Sequence, residues 1–246
     1  MSVDHAERST STIAHAPCII PTMTPETQDM PDQPGSTPEA MIAPLVARLV
    51  ARAAQGRSLI AIAGAPGSGK STLSNLLYAR LNAHSAGLAA VVQMDGFHLD
   101  DAILTSRGVL ARKGAPFTFD VGGLRALLER LRRNTEAEIA APVFDRHLEL
   151  SRGSARLIPR EVPLILVEGN YLLLDEAPWT ELHPLFDLTI ALNVPFAELE
   201  RRLIDRWVGL GLGQDKAREK AQTNDLENAR KVFTQSIAAD IELSVE

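Results

Sequence analysis

The apolar positions of the chain follow two rhythms. Short unbroken apolar runs stand at 59–63, 88–92 and 163–167, the pattern of strands buried on both faces of a sheet. They predict strands over 59–63, 88–94 and 163–169, with a fourth over 187–194. Elsewhere apolar residues return at every third or fourth position. Thr37, Pro38 and Glu39 read as an N-cap, a first-turn proline and a first-turn acid, followed by a stripe of Met41, Leu45, Leu49 and Ala53 toward Gly56. Leu73, Leu76, Leu77, Ala79 and Leu81 predict a helix that starts near Lys70 and ends at Gly87. Leu124, Leu127, Leu128 and Leu131 place another over 121–133. Pro195 opens a helix through Val208, and a further helix is expected over 215–232. A strand over 138–144, a hairpin or short strands over 152–163 and a closing strand over 239–245 complete the set, while 99–120 reads as irregular. This alternation predicts an α/β fold with a parallel sheet and helices on both faces.

Composition changes that picture only at its margins. Residues 1–36 are rich in Ser, Thr and Pro without an apolar period, and are expected to form a disordered N-terminal extension before a single domain at 37–246. The formal net charge of −6 leaves no basic excess for a nucleic-acid backbone, so any phosphate affinity must be local. Cys18 is the one cysteine, which excludes an intrachain disulfide and a cysteine zinc cluster. No apolar run reaches the length of a membrane span, and the first residues lack the pattern of a secretory signal. The expectation is a cytoplasmic protein acting on a small molecule, without nucleic-acid or membrane partners. Its oligomeric state has no signature in the sequence.

Candidate chemistry centres on residues 64–72, which read Gly64, Ala65, Pro66, Gly67, Ser68, Gly69, Lys70, Ser71, Thr72 and fit the phosphate-loop pattern G-x-x-x-x-G-K-[ST]. With a strand before it and a helix after it, this stretch collects backbone N–H groups and a positive helix end around one point, which suits a polyphosphate. Lys70 reaches toward β- and γ-phosphate oxygens, and the Ser71 hydroxyl suits Mg²⁺. Two further strands end in acids. Asp95 follows the second strand and is either a turn-capping acid or a base for a hydroxyl proton; the shared strand-end edge favours the base. Glu168 closes the third strand and suits Mg²⁺, directly or through water. His98 and Asp100 lie nearby, where a polar helix start explains them as well as a site does; His98 is carried as a substrate-binding candidate. Arg202 and Arg206 share a helical face, with Arg201 about 100° around it. They either close over a triphosphate or pair along a solvated helix, as Glu198 and Asp205 at i, i+4 spacing allow.

Taken in order, residues 64–72, Met94-Asp95-Gly96-Phe97-His98, Glu168-Gly169-Asn170-Tyr171 and Arg201-Arg202-Leu203-Ile204-Asp205-Arg206 resemble the superfamily of uridine kinases, phosphoribulokinases and bacterial pantothenate kinases. The resemblance spans 56–245 and is closest to a small bacterial fructokinase-like, or nucleoside-kinase-like, branch with similar segments at 112–116, 144–146 and 224–229. It implies a three-layer α/β/α P-loop fold with a mostly parallel sheet and a small helical lid, and a kinase that uses ATP and Mg²⁺. It supports Asp95 as the base and Arg201, Arg202 and Arg206 as lid arginines. It also implies that Arg112, Arg146, His147, Asn224 and Asn228 line the acceptor or nucleotide pocket. The segment Asp-Gly-Phe-His departs from the Asp-x-Phe-Tyr type of uridine kinases, and the chain is shorter than pantothenate kinases. The expected acceptor is therefore a hydroxyl of a small polar metabolite, with a sugar or polyol ahead of pantothenate or a nucleoside. The alternative is an ATP-binding regulatory or scaffold protein without transfer, against which Lys70, Ser71, Asp95 and Glu168 stand together.

Overall fold

Every residue of the first strand, β1 (Ser58–Gly64), is buried. Leu59, Ala61 and Ala63 face one apolar cluster and Ile60 and Ile62 the other, so the run is apolar without alternation. This is a computed structural model that describes residues 38–245; the extension expected at 1–36 lies outside the described residues. Before β1 comes α1 (Pro38–Ala53), and after it α2 (Lys70–His84), β2 (Ala89–Gln93), α3 (Asp101–Ser106) and α4 (Val121–Arg133). Then follow β3 (Glu138–Asp145), β4 (Leu150–Pro159), β5 (Leu164–Gly169), β6 (Leu188–Asn193) and α5 (Phe196–Gly209). The chain ends with α6 (Gln214–Lys220), a π-helical turn (Ala221–Asp225), α7 (Leu226–Gln235) and β7 (Ile241–Ser244).

The main sheet has five strands in the order β2-β5-β1-β6-β7, and every pairing in it is parallel. One face is covered by α1 through Ile42, Leu45 and Leu49 and by α2 through Leu73, Leu77 and Leu81. The other is covered by α4 through Leu124, Leu127, Leu128 and Leu131 and by α7 through Ala229 and Val232. This is the expected three-layer α/β/α arrangement, with all strand carboxyl ends along one edge. A smaller cluster of Leu203, Ala221 and Leu226, with Phe196, Ile204 and Trp207 packed on it, ties α5 to the π turn and α7. Among the described residues no helix is long and apolar enough to cross a membrane.

The structure corrects the sequence expectations at four places. Helix α2 stops at His84, and Gly87, at φ +75°, belongs to the turn before β2. The stretch read as irregular contains α3, capped by Asp100 accepting from the Ala102 N–H at 2.8 Å, and two short 3-10 turns. Strands β3 and β4 form their own antiparallel ribbon outside the parallel sheet, with a register shift between Ala141 and Val143. The helix expected over 215–232 is interrupted by the π turn and continues to Gln235.

Candidate functional site

The phosphate loop hangs between the buried end of β1 and the start of α2, and its glycines have separate tasks. Gly67 and Gly69 take φ of +81° and +89°, the left-handed region that favours glycine. A Cβ at Gly67 would lie 3.2 Å from Cγ of Leu203, so helix α5 packs directly on the loop at that residue. Gly69 sits at the N-cap of α2 and makes no side-chain cap bond, which leaves the first-turn N–H groups directed at the loop. The Ser68 hydroxyl is buried without a hydrogen-bond partner among the described residues. An open helix start and an orphaned buried hydroxyl inside a glycine cradle fit a bound polyphosphate.

Sheet register brings the acids to this point. Glu168 is opposite Ile62 of β1 on one side and Gln93 of β2 on the other, so it stands two residues below the loop. Its buried carboxylate accepts from Ser71 Oγ at 2.6 Å and from Gln93 Nε2 at 3.0 Å. Among the described residues no group of three or more His, Cys, Asp and Glu side chains could hold a metal ion. Mg²⁺ does not need one: it keeps several waters and takes one or two protein oxygens plus phosphate oxygens. The hydroxyl and carboxylate of Ser71 and Glu168, already in contact, are such a pair of hard oxygen donors.

Asp95 sits in a 3-10 turn (Met94–Phe97) that follows β2 directly. Gly96 is required there, since a Cβ would lie 2.7 Å from the carbonyl oxygen of Pro142. Arg146, on the turn of the β3–β4 ribbon, donates from Nη2 to Asp95 Oδ2 at 3.2 Å. Burial is the largest influence on Lys70 and pushes its ammonium below the ordinary lysine range, while Asp95 and Glu168 pull it up and Arg146 and Arg206 push it down. Those four charged groups, which act on the Lys70 charge, belong to four different elements of the fold.

The remaining predicted residues divide. Arg206 pairs with Asp225 at 3.0 Å and lies 5.3 Å from the Trp207 ring centroid. Arg202 donates from Nε to Glu198 at 2.6 Å. Arg201 is on the exposed side of α5, held between Glu198 at 2.7 Å and Asp205 at 2.8 Å, the solvated-helix arrangement that the spacing also allowed. Its partner Glu198 is drawn down to a pKa of about 2 by hydrogen bonds from Arg201 and Arg202.

Arg112, Asn224 and Asn228 do come together. Arg112 Nε donates to Asn224 Oδ1 at 3.1 Å, Asn228 Nδ2 donates to the same oxygen at 3.3 Å, and Asn224 Nδ2 donates to the Lys113 carbonyl at 2.9 Å. His98 lies between Phe119 and Phe144, with ring centroids 4.1 and 4.7 Å away, and its Nδ1 is 2.8 Å from the Asp95 carbonyl. His147 is exposed in the ribbon turn, where its N–H donates to Asp145 Oδ1 at 3.1 Å.

Four residues near the site were given no role in the sequence reading. Gln93 braces Glu168, and its signal was a polar residue at the last position of an apolar strand. Tyr171 donates to the Gly114 carbonyl at 2.6 Å, pinning the loop that carries Arg112; burial raises its phenol well above the ordinary tyrosine range. Lys113 pairs with Asp101 at 2.7 Å. Asp225 receives Arg206 and Trp207 together. Beside the loop, on the side away from Asp95, a cavity of about 300 Å³ is lined by Gly64, Ala65, Asn193, Phe233, Ser236 and Glu242 among others.

Comparison with known proteins adds three findings. The chain is 31% identical over 196 residues to a Schizosaccharomyces pombe protein with the provisional name uridine kinase, covering 77% of this chain and 83% of the relative. It is 32% identical over 161 residues to the pantothenate kinase of Myxococcus xanthus, covering 62% of this chain and 50% of that protein. Among solved structures, a provisionally named fructose transport system kinase from Silicibacter sp. TM1040 matches with a TM-score of 0.77 at 44% identity, over 85% of this chain and 100% of that chain. No family model matches the chain.

Proposed function

Because the chain belongs to the P-loop kinase superfamily of uridine kinases, phosphoribulokinases and bacterial pantothenate kinases, we propose that it transfers the γ-phosphoryl group of MgATP to a hydroxyl of a small polar metabolite. The observation that carries this reading is the pairing, at neighbouring strand ends beside the phosphate loop, of Ser71 with Glu168 at 2.6 Å and of Arg146 with Asp95 at 3.2 Å. Phosphoryl transfer needs little covalent help; it needs positioning, charge neutralisation and an acceptor for the hydroxyl proton.

In this reading the loop N–H groups and Lys70 hold the donor phosphates, and Ser71 and Glu168 hold Mg²⁺, which neutralises phosphate charge. Asp95 takes the proton from the attacking hydroxyl while Arg146 keeps its carboxylate in place. Arg206 offsets charge that builds on the transferred group. The cavity beside Gly64 and Ser236 takes the nucleotide base, and the Asp95 side takes the acceptor. Arg112, Lys113 and Asn224 make that side rich in donors, which suits a hydroxylated sugar or polyol better than a flat nucleoside base. The relatives named for uridine, pantothenate and fructose point to alcohol acceptors of different shapes.

Coupled ATP turnover measured across sugars, polyols, pantothenate and nucleosides tests the proposal. A sugar or polyol is expected to raise turnover well above the acceptor-free rate. ATP binding with no acceptor-dependent turnover on the whole panel would leave a nucleotide-binding protein without transfer.

A further inference from the structure

The π turn between α6 and α7 places two polar side chains in the interior at adjacent positions. Asn224, Asp225 and Leu226 are buried in succession. Widened turns of this kind are rare and collect at functional sites. Asn224 is locked to the acceptor-side loop through Arg112 and the Lys113 carbonyl. Asp225, next to it, turns toward α5 and accepts on a single oxygen, Oδ2, from Arg206 Nη2 at 3.0 Å and from Trp207 Nε1 at 2.6 Å. A carboxylate kept away from water is costly unless paired and hydrogen-bonded, so the two donors account for its stability. They do not account for an acid standing where a neutral acceptor would serve Trp207 equally well.

The placement of Arg206 supplies that reason. Leu199, Leu203 and Arg206 recur at helical spacing on one side of α5, and Leu199 and Leu203 are the residues against which a Cβ at Gly67 would press. The helix face seated on the phosphate loop therefore continues into Arg206. An arginine there has many rotamers to lose when it is fixed, and about half of its side chain is exposed. A donor aimed before the reaction costs no reorganisation when charge develops. We infer that Asp225 is a positioning residue for phosphoryl transfer, one that holds Arg206 aimed at the phosphate loop from a turn anchored on the acceptor-side wall.

The inference rests on the transfer reading above, and the test separates the two. The probe is mant-ADP with Mg²⁺, bound to the full chain with and without aluminium fluoride, which imitates the phosphoryl group in flight. The wild-type chain is expected to bind the fluoride complex more tightly than mant-ADP alone, since transition-state mimics draw on the catalytic contacts. Arg206→Ala and Asp225→Asn should each lose about tenfold of that gain and leave the affinity for mant-ADP alone within about twofold, because neither group is assigned to the ground-state diphosphate. The double variant should match Arg206→Ala, since Asp225 acts through Arg206.

If Asp225→Asn keeps the full gain, or if the double variant loses the product of the two effects, the inference is overturned while the transfer reading stands. If Arg206→Ala keeps the gain, or the wild-type chain shows none, the role given to Arg206 fails and the inference fails with it. Should Asp225→Asn not fold, Arg206→Lys tests the aim from the exposed side: it keeps the charge and gives up the planar fork. A lysine variant that retains the full gain shows that aim is irrelevant and overturns the inference.

Discussion

Asp95 and His98 lie within one turn of each other and are held by different physics. The Asp95 carboxylate faces the site with Arg146 at 3.2 Å. Asp95→Asn keeps the shape and removes the carboxylate proposed to accept the hydroxyl proton, so kcat should fall by about 10²–10⁴-fold, the usual contribution of a positioned base. The KM for ATP should stay near that of the wild type, and an unchanged kcat would place the base elsewhere. His98 is packed between two phenyl rings, and burial is the largest of the influences that push its imidazole below the ordinary value of 6.5. Asp95 opposes that shift and Lys113 and Arg146 reinforce it. The unfolded chain therefore takes a proton as pH falls through about 6.5, while the folded chain takes it only at lower pH. Below neutrality the unfolded state binds more protons, so this residue's contribution to stability declines as pH falls from 6.5 to the lowered value. The difference in Tm between wild type and His98→Gln should shrink between pH 8 and pH 5.5. His183, also lowered by burial, is common to both proteins and cancels. A difference that stays constant with pH would mean His98 does not titrate in this way.

At the scale of elements, the contact between α5 and the phosphate loop makes a prediction that two neighbouring glycines can separate. Gly67 and Gly69 both have positive φ, but only a Cβ at Gly67 meets another element. Gly69→Ala carries the left-handed strain alone, about 1–2 kcal/mol. Gly67→Ala adds a collision with Leu203, and overpacking of this kind costs about 1–3 kcal/mol. In thermal melts without nucleotide, Gly67→Ala should therefore lose more Tm than Gly69→Ala; equal losses would show that α5 yields freely. This contact also explains what the sequence could and could not reveal. The strand, loop and helix at 58–84 were legible because a buried parallel strand is an apolar run and the loop has a fixed residue pattern. Glu168 was legible for the same reason, as an acid closing an apolar run. The direction of the three arginines was not, because spacing alone does not say which side of α5 lies on the loop; the packing of Leu203 against Gly67 decides it. Strand β4 reads Leu-Ser-Arg-Gly-Ser-Ala-Arg-Leu-Ile-Pro and is mostly exposed, so it lacks the alternation that marks a strand with one buried face. The π turn was hidden because one widened turn leaves the apolar spacing on either side nearly unchanged.

For the molecule as a whole, α1 packs as part of the sheet's core. Ile42, Leu45 and Leu49 are buried on the sheet face that carries Ile60 and Ile62, and Arg52 donates to the Asp187 carbonyl at 2.8 Å, joining the helix to the edge of β6. Burying three such side chains stabilises by roughly 5–9 kcal/mol as an upper estimate, against a total of about 5–15 kcal/mol for an ordinary domain. A chain starting at Gln55 lacks α1 altogether and should lose its cooperative melt near physiological temperature. A chain starting at Thr37 keeps every one of these contacts and should melt within a few degrees of the full chain. Nucleotide linkage then tests whether the shorter chain still builds the site, because a ligand that binds only the folded state stabilises it by about 2.7 kcal/mol at one hundred times its Kd. Both the full chain and the chain starting at Thr37 should gain the same Tm increment with saturating MgATP, since the phosphate loop, Glu168 and Arg206 all lie after α1 and are present in both. A smaller increment in the shorter chain would mean that residues before Thr37 contribute to nucleotide binding.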